Sequence, residues 1–388
     1  MRTSSRALAL GTLLLLAPCL SSAAYETRPG DTGSDEIPET ETAVVDLSSL
    51  GDLKGLVEKL AAKRIVFVGE THDRYEDHLN QLALIAGLHE KGKDLVIGME
   101  AFQQPFQPYL DAFIAGELGE GEMLRRTQWF ERSRFDYRLY RPILRFAREQ
   151  GIPVLALNLE QEITEKVGDG GIESLNDQER ARIPTDIDRG DQAYRERVKA
   201  VFDHHPKKEE ANFEHFLEVQ LLWDEGMAQR AARYLDEHPA KSMVILAGTG
   251  HVEQGQGIPK RLLRRVPAES AIVLNGNARE LDPEVADFLL YPKRLELPAA
   301  GLLGVLLDTE SEGEGLGVKG FADASGAKAA GMEDGDRILR VGQEPIASYA
   351  DIRIALMEGR PGQKVPVEVL RPKAIGESER LQLEVELH

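Results

Sequence analysis

Five short apolar runs, each bounded by turn residues and separated by long amphipathic stretches, constrain this chain more than any other feature. They are Arg64 to Val68, Leu95 to Met99, Pro153 to Leu157, Met243 to Ala247 and Ala271 to Leu274. A strand buried on both faces reads as a continuous apolar run, and helices between such strands impose parallel crossovers. The spacing therefore predicts an α/β domain with a mainly parallel sheet and flanking helices. A helix-rich insertion lies between the third and fourth runs, from Glu173 to His238.

The polar ends of these runs carry the chemistry. The first ends in Gly69-Glu-Thr-His72 and the fourth in Gly248-Thr-Gly-His251, while the second stops on Glu100 and the third on Asn158. Ligands of an open parallel sheet bind outside the carboxyl ends of its strands, so the four endings are expected to share one pocket. Glycine allows a sharp turn or a close approach there, and a histidine three residues on can fold back over the sheet. Imidazole with carboxylate suits a divalent metal such as zinc, manganese or iron. The same pair suits general acid/base work in which the carboxylate orients the ring. Glu70, His72, Glu100 and His251 are the candidates for either role. A single Gly-x-x-His is a weak signal that chance supplies. Two of them after strongly apolar strands, with Gly98-Met-Glu100 between, are a stronger one.

Helix signals are local. Asp73 with Glu76 three residues on has the spacing of a capping box and predicts a helix starting at Asp73. From Glu209 to His238 a stripe of Phe213, Phe216, Leu217, Gln220, Trp223, Met227, Ala231 and Tyr234 recurs at helical spacing and reads as core packing.

The flanks differ in kind. Residues 1–24 combine basic Met1 to Arg6 with the short apolar run Ala7 to Ala17, which reads as a secretory signal. Cleavage follows Ala24 or precedes Cys19, the single cysteine, where Leu16-Ala-Pro-Cys19 resembles a lipobox. On either path the mature chain keeps no disulfide. Export to the periplasm or envelope is expected, with any membrane attachment through a lipid on Cys19. Residues 25–43 are polar and acidic and too poor in apolar surface to fold, so a disordered linker is expected. The α/β domain is then expected over 44–297. A formal charge of −19 argues against a phosphate backbone as partner, so no nucleic acid is expected.

From about residue 298 to 388 the pattern becomes short strand-like runs, Leu302 to Leu307, Arg337 to Val341 and Lys364 to Arg371, with Gly-rich turns and one helical stretch, Tyr349 to Met357. A second, small, β-rich domain is expected. Ala324 to Leu339, followed by Val341-Gly-Gln-Glu-Pro-Ile346, resembles the PDZ domains of bacterial envelope proteases. The resemblance implies that Gly301, Leu302, Leu303, Gly304 and Val305 form a loop whose amides hold a peptide's terminal carboxylate while the peptide adds a strand. Ser311-Glu-Gly-Glu-Gly315, just beyond, is acidic and screens anionic tails.

Gly69-Glu-Thr-His72 with His78, Gly98-Met-Glu-Ala-Phe102, Gln220-Leu-Leu-Trp-Asp-Glu-Gly-Met-Ala228 and Gly248-Thr-Gly-His251 together resemble the ChaN-like haem-binding lipoproteins. These belong to the wider Tiki/TraB and erythromycin-esterase-like superfamily. The resemblance covers about Val44 to Leu297. It implies an envelope protein linked to iron acquisition, with haem bound at the interface of a homodimer. It places His72, His78, Asp224 and His251 among the cofactor-pocket positions, and implies a tyrosine as the haem ligand. Tyr75, Tyr109, Tyr137, Tyr140 and Tyr194 are the tyrosines considered. No Cys-x-x-Cys-His motif exists, so haem would be held non-covalently.

Three readings stand on these residues. The first is a haem- or iron-binding protein whose PDZ module recruits a peptide or protein. The second is a metal-dependent hydrolase or peptidase using Glu70, His72, Glu100 and His251. The third is a non-catalytic adaptor. Other motifs fail: His204-His205-Pro206 reads as a solvated loop, Gly255-Gln-Gly257 is too short for a dinucleotide fingerprint, and no Gly-x-Ser-x-Gly elbow occurs.

Overall fold

The computed structural model describes residues 50–133, 135–204, 212–276, 282–373 and 376–388. The expected signal, Cys19, the acidic linker and the start of the α/β domain at 44 lie outside the described residues, as does His205.

Six strands form the first sheet: β1 (Ile65–Glu70), β2 (Leu95–Gln103), β3 (Val154–Asn158), β4 (Ser242–Gly248), β5 (Ser270–Asn275) and β6 (Phe288–Leu290). Their order is β3-β2-β4-β1-β5-β6, and every pairing is parallel. The apolar runs become strands because the sheet is covered on both faces. Every residue of β1 is buried, with Val66 and Val68 in one core and Ile65 and Phe67 in the other. That split is the two-residue alternation of an extended chain.

One face carries α1 (Leu53–Leu60), α2 (Tyr75–Glu90), α3 (Gln107–Ile114), α4 (Glu120–Arg126), α5 (Trp129–Arg132) and α6 (Tyr137–Gln150), which pack the core around Trp129, Tyr137 and Tyr140. The insertion supplies α7 (Gln161–Gly170), α8 (Asp177–Arg180), α9 (Gln192–Asp203) and the long α10 (Phe213–Glu237). Met227 and Ala231 of α10 pack with α11 (Ile258–Arg265) on the other face. The chain winds from β1 through β2 to β3, then returns to lay β4 between β2 and β1 before moving on to β5. The carboxyl ends of β1, β4 and β2 therefore surround the reversal, where α/β sheets place ligands.

The start of α2 corrects the predicted capping box. The helix begins at Tyr75, and its cap position, Arg74, has no side-chain cap. Asp77 instead turns its carboxylate back to accept the Thr71 amide at 2.8 Å. The chain spends residues 71–74 in a turn that returns His72 to the sheet.

The second sheet holds β7 (Val305–Asp308), β8 (Leu316–Phe321), β9 (Arg337–Val341), β11 (Lys364–Arg371) and β12 (Glu379–Glu386), in the order β12-β11-β9-β8-β7, with the short β10 (Glu344–Pro345) paired to β9. All its pairings are antiparallel. With α12 (Gly326–Ala329) and α13 (Tyr349–Ala355) it encloses its own core of Leu316, Ile338, Ile352, Val367 and Val385.

The described residues fall in one compact unit. Arg125 of α4 bonds Asp351 at 2.7 Å and Glu344 at 3.1 Å, Arg138 donates to the Pro298 carbonyl at 2.7 Å, and Arg141 pairs with Glu358. Ile354 and Met357, on and just after α13, join the core of the α/β domain. Among the described residues no helix is long and apolar enough to cross a membrane.

Candidate functional site

β1 ends on Glu70, which is only 3% exposed, and the turn after it returns His72 to the same rim. β2 runs on through Glu100, and β4 stops at Gly248, where a tight turn over Thr249–His251 reverses the chain. Gly248 is required by contact. A Cβ there would lie 2.8 Å from Nε2 of His72 and 3.5 Å from Oε2 of Glu100. Gly69 is required by packing, because its Cβ would meet Leu274 at 2.3 Å.

Each histidine is held by a buried carboxylate, and each carboxylate by a buried tyrosine. The Tyr140 hydroxyl donates to Oε1 of Glu70 at 2.5 Å, and the same oxygen lies 2.8 Å from Nδ1 of His72. Gln81 donates to Oε2 of Glu70 at 2.7 Å, and His78 stands 3.6 Å from that oxygen. On the other side Tyr194 donates to Oδ2 of Asp224 at 2.6 Å, and Oδ1 lies 2.6 Å from Nδ1 of His251. A carboxylate only accepts, so both imidazoles carry a proton on Nδ1.

Glu100 stands between the two relays. Its Oε2 accepts the Gly248 amide at 2.6 Å, and its Oε1 lies 3.5 Å from Nε2 of His251. Burial works against the His251 imidazolium, but the charges of Glu100 and Asp224 and the Asp224 hydrogen bond outweigh it and raise its pKa to about 9. Burial likewise disfavours charge on His72, yet the Glu70 hydrogen bond and the Glu100 and Glu70 charges push its pKa upward. Glu70 also resists its own burial. The His72 bond, the His78 and His72 charges and the Tyr140 hydroxyl hold it below the ordinary carboxylate range.

The rim opens on a cleft of about 590 Å³, within the size range of small-molecule and cofactor sites. Phe102, Phe106, Trp129, Phe135, Phe216 and Trp223 line it, with His72, Glu100, Arg132, Asn158 and Gln220 as polar points. Phe135 stacks on His72 with ring centroids 4.5 Å apart. Arg132 is braced by Gln103 at 2.9 Å and Glu162 at 2.6 Å.

The structure thus brings the ends of β1, β2, β3 and β4 to one rim, though not all in one role. Of the cofactor-pocket positions, His72 lines the cleft, while His78, 1% exposed, sits behind it and faces the His72 carbonyl at 3.1 Å. Asp224 and His251 form the second relay. Glu70, His72, Glu100 and His251 do not converge as a metal cage, since Glu70 is spent on His72, Tyr140 and Gln81. Among the described residues no three histidines, cysteines or acids gather to hold an ion.

The tyrosines considered as haem ligands fall in different places. Among the described residues Tyr140 is the only tyrosine lining the cleft, and its hydroxyl is committed to Glu70, with burial and the Glu70 charge pushing its pKa far up. Tyr137 and Tyr194 are buried and donate to Glu120 and Asp224. Tyr75 packs against the core, and Tyr109 lies under Arg126. The α10 stripe divides as well: Met227 and Ala231 are core, whereas Phe216, Gln220 and Trp223 face the cleft. The polar Gln220 inside that apolar stripe was the available signal. Nothing local marks Tyr140 and Tyr194 as relay members, because their partners are 70 and 30 residues away.

The family described as haem-binding uptake, Tiki superfamily, ChaN matches residues 56–262, and the PDZ domain family matches residues 301–387. The protein RETICULATA-RELATED 5, chloroplastic, of Arabidopsis thaliana is 24% identical over 291 residues, 64% of this chain and 37% of its own length. This chain thus spans little more than a third of that relative. Among solved structures, Campylobacter jejuni ChaN with cofacially bound haem aligns over 61% of this chain and 90% of its own, at 16% identity and a TM-score of 0.49. The HtrA-type protease AlgW with a decapeptide aligns over 23% of this chain and 30% of its own, at 27% identity and a TM-score of 0.20. With just over half of the 388 residues inside the first match, the chain belongs to the ChaN haem-binding uptake family of the Tiki superfamily and carries a PDZ domain after it.

Proposed function

We propose that the α/β domain takes up haem in the aromatic cleft, non-covalently, with Nε2 of His72 as the nitrogen offered to the iron. The observation that carries this reading is the state of His72. Its Nδ1–H is locked on Glu70 at 2.8 Å, its residue lines the cleft, and its Nε2 has no hydrogen bond among the described residues. A histidine oriented in this way by a carboxylate is the usual arrangement of a metal-binding imidazole. The aromatic walls suit a flat apolar macrocycle, and Arg132 suits carboxylates at its edge. Bound haem would supply an iron centre for storage or hand-over, while this chain's residues bind it, orient it and exclude water. The opening of the sequence supports export to the envelope, with Cys19 as a lipid attachment point. The PDZ domain supplies recruitment of a peptide or protein end.

The test is a haem titration of the mature protein followed by absorbance, with metal analysis on the same preparation. A saturable Soret shift that His72→Ala abolishes supports the reading. A shift that survives His72→Ala overturns His72 as the iron partner, and no shift overturns haem uptake.

A second reading has its own observation. Glu100, carrying the Gly248 amide, faces a His251 held as imidazolium, so the rim presents a carboxylate base beside an imidazolium acid. That pair suits hydrolysis of an ester or amide. Turnover lost in both Glu100→Gln and His251→Gln, without loss of fold, supports it, and unchanged turnover in either removes it.

A further inference from the structure

A second cleft, of about 380 Å³, lies where the PDZ domain meets the α/β domain. Among the described residues β7 is the last strand of its sheet and pairs only with β8, so its outer edge presents unused backbone groups beside the cleft. At its start the loop of Gly301 to Val305 is already partly committed: the Gly301 amide donates to Gly359 and the Leu302 amide to His388. The amides of Leu303 and Gly304 have no acceptor among the described residues, and Gly304 adopts φ +76°. Beside them stands the His388 imidazole, whose buried Nδ1 also has no partner. Two backbone amides and one imidazole nitrogen without partners among the described residues thus lie in residues at the head of an open strand edge. That is the chemistry of a carboxylate site.

The walls are unusual because one belongs to the other domain. Leu303, Val305, Ile352 and Leu356 supply apolar surface from the PDZ side, while Phe130 of α5 and Asp136, Tyr137 and Arg138 at the start of α6 close the cleft from the α/β side. Leu302, Leu306 and Tyr349, at or beside the cleft, are 49%, 51% and 39% exposed. Arg353 of α13 lies 5.4 Å over Phe130 and 4.0 Å from Asp136, and Arg138 grips the same Asp136 carboxylate at 2.7 Å. Two guanidiniums share one carboxylate, which leaves this stretch of the wall positive. Farther along, Asp308 ends β7 and Glu310 and Glu312 follow it, so acids more distant from the loop meet repulsion.

We infer that this groove is a two-domain receptor for a peptide carboxyl terminus with an apolar last side chain and one acidic side chain just before it, the acid being read by Arg138 together with Arg353. The inference rests on the PDZ domain's role in taking peptide ends and adds what those ends contain and which domain reads them. The receptor shares its wall with the haem cleft: Trp129 and Arg132 flank Phe130 on α5, and Tyr140 stands one turn after Tyr137 on α6.

The experiment is fluorescence anisotropy of the full chain with short labelled peptides ending Asp-Val, Asn-Val or Lys-Val, each as free acid and as amide. The expected result is that the Asp peptide binds about five-fold tighter than the Asn peptide, as one solvent-bordered ion pair allows, and that each amide loses most of its affinity. Arg138→Gln and Arg353→Gln should each bring the ratio of Asp-peptide to Asn-peptide affinity from about five down to about one. A preference that persists in Arg138→Gln while Arg353→Gln removes it overturns the role of the α/β domain. Equal binding of Asp and Lys peptides overturns the acid selectivity. Failure of every free-acid peptide to bind overturns the peptide-binding reading itself, and the inference with it.

Discussion

Gly248 donates its backbone N–H to Oε2 of Glu100 at 2.6 Å, so the end of one strand holds the carboxylate that the next presents to both imidazoles. The bond needs the chain to pass closer to His72 than any side chain permits. Gly248→Ala should therefore displace His72 or Glu100, with a Cβ otherwise 2.8 Å from Nε2 of His72. The expected outcome is a folded protein that loses haem binding by at least about ten-fold, read by Soret titration beside circular dichroism. Unchanged haem affinity would place the ligand elsewhere.

His72 and Glu70 should separate ligand from support. His72→Ala is expected to abolish the saturable Soret shift, whereas Glu70→Gln should weaken it by roughly 10–100-fold, as for other carboxylates behind metal-binding imidazoles. Because its partners raise the pKa of His72, the ring must give up a proton to offer Nε2 to iron. Affinity should accordingly rise with pH from mildly acidic solution upward. A flat pH profile would contradict imidazole ligation.

Stability should also register His251. Its pKa rises from the ordinary 6.5 to about 9 on folding, so the folded state holds this proton more tightly. The stabilisation is fully present below about pH 6.5 and is lost as pH rises through about 9, a change on the order of 3 kcal/mol. Urea midpoints measured from pH 7 to 9.5 should fall for the natural protein and stay nearly level for His251→Gln. Parallel curves would show that the imidazolium contributes nothing to stability.

Tyr194→Phe removes the donor from a carboxylate that is 1% exposed. Loss of a hydrogen bond to a buried charge should destabilise the fold by about 1.5–3 kcal/mol, seen as a lower denaturant midpoint at an unchanged slope. The His251 titration, followed by NMR, should shift at the same time, since Asp224 loses its second anchor. A change in stability with no change in that titration would make Tyr194 a packing residue only.

Legibility in the sequence followed the range of the interactions. The apolar runs became β1 to β5 within a residue or two at most ends, because a strand buried on both faces needs continuous apolar side chains wherever it sits. Gly69 and Gly248 were legible as tight points, and the structure supplies the reason in the side chains packed against them. The capping box at Asp73 failed because the turn that returns His72 to the rim took precedence over a local cap worth about 1 kcal/mol. The α10 stripe looked uniform because helical spacing reports an apolar face and not what lies opposite. The upper part of that face meets the cleft, and the lower part meets the sheet.

By itself the sequence determined the α/β class, the β-rich domain after it and the strand ends that would bear the site, since burial patterns and turn residues are local. Tertiary structure alone decided which groups those ends would meet. Tyr140 reaches Glu70 from α6, Tyr194 reaches Asp224 from α9, and Phe130 and Arg138 close a groove begun in another domain. Those partners lie tens to hundreds of residues apart, and hydrogen bonds and ion pairs act only over a few ångströms, so folding had to bring them together before any of them acquired a role.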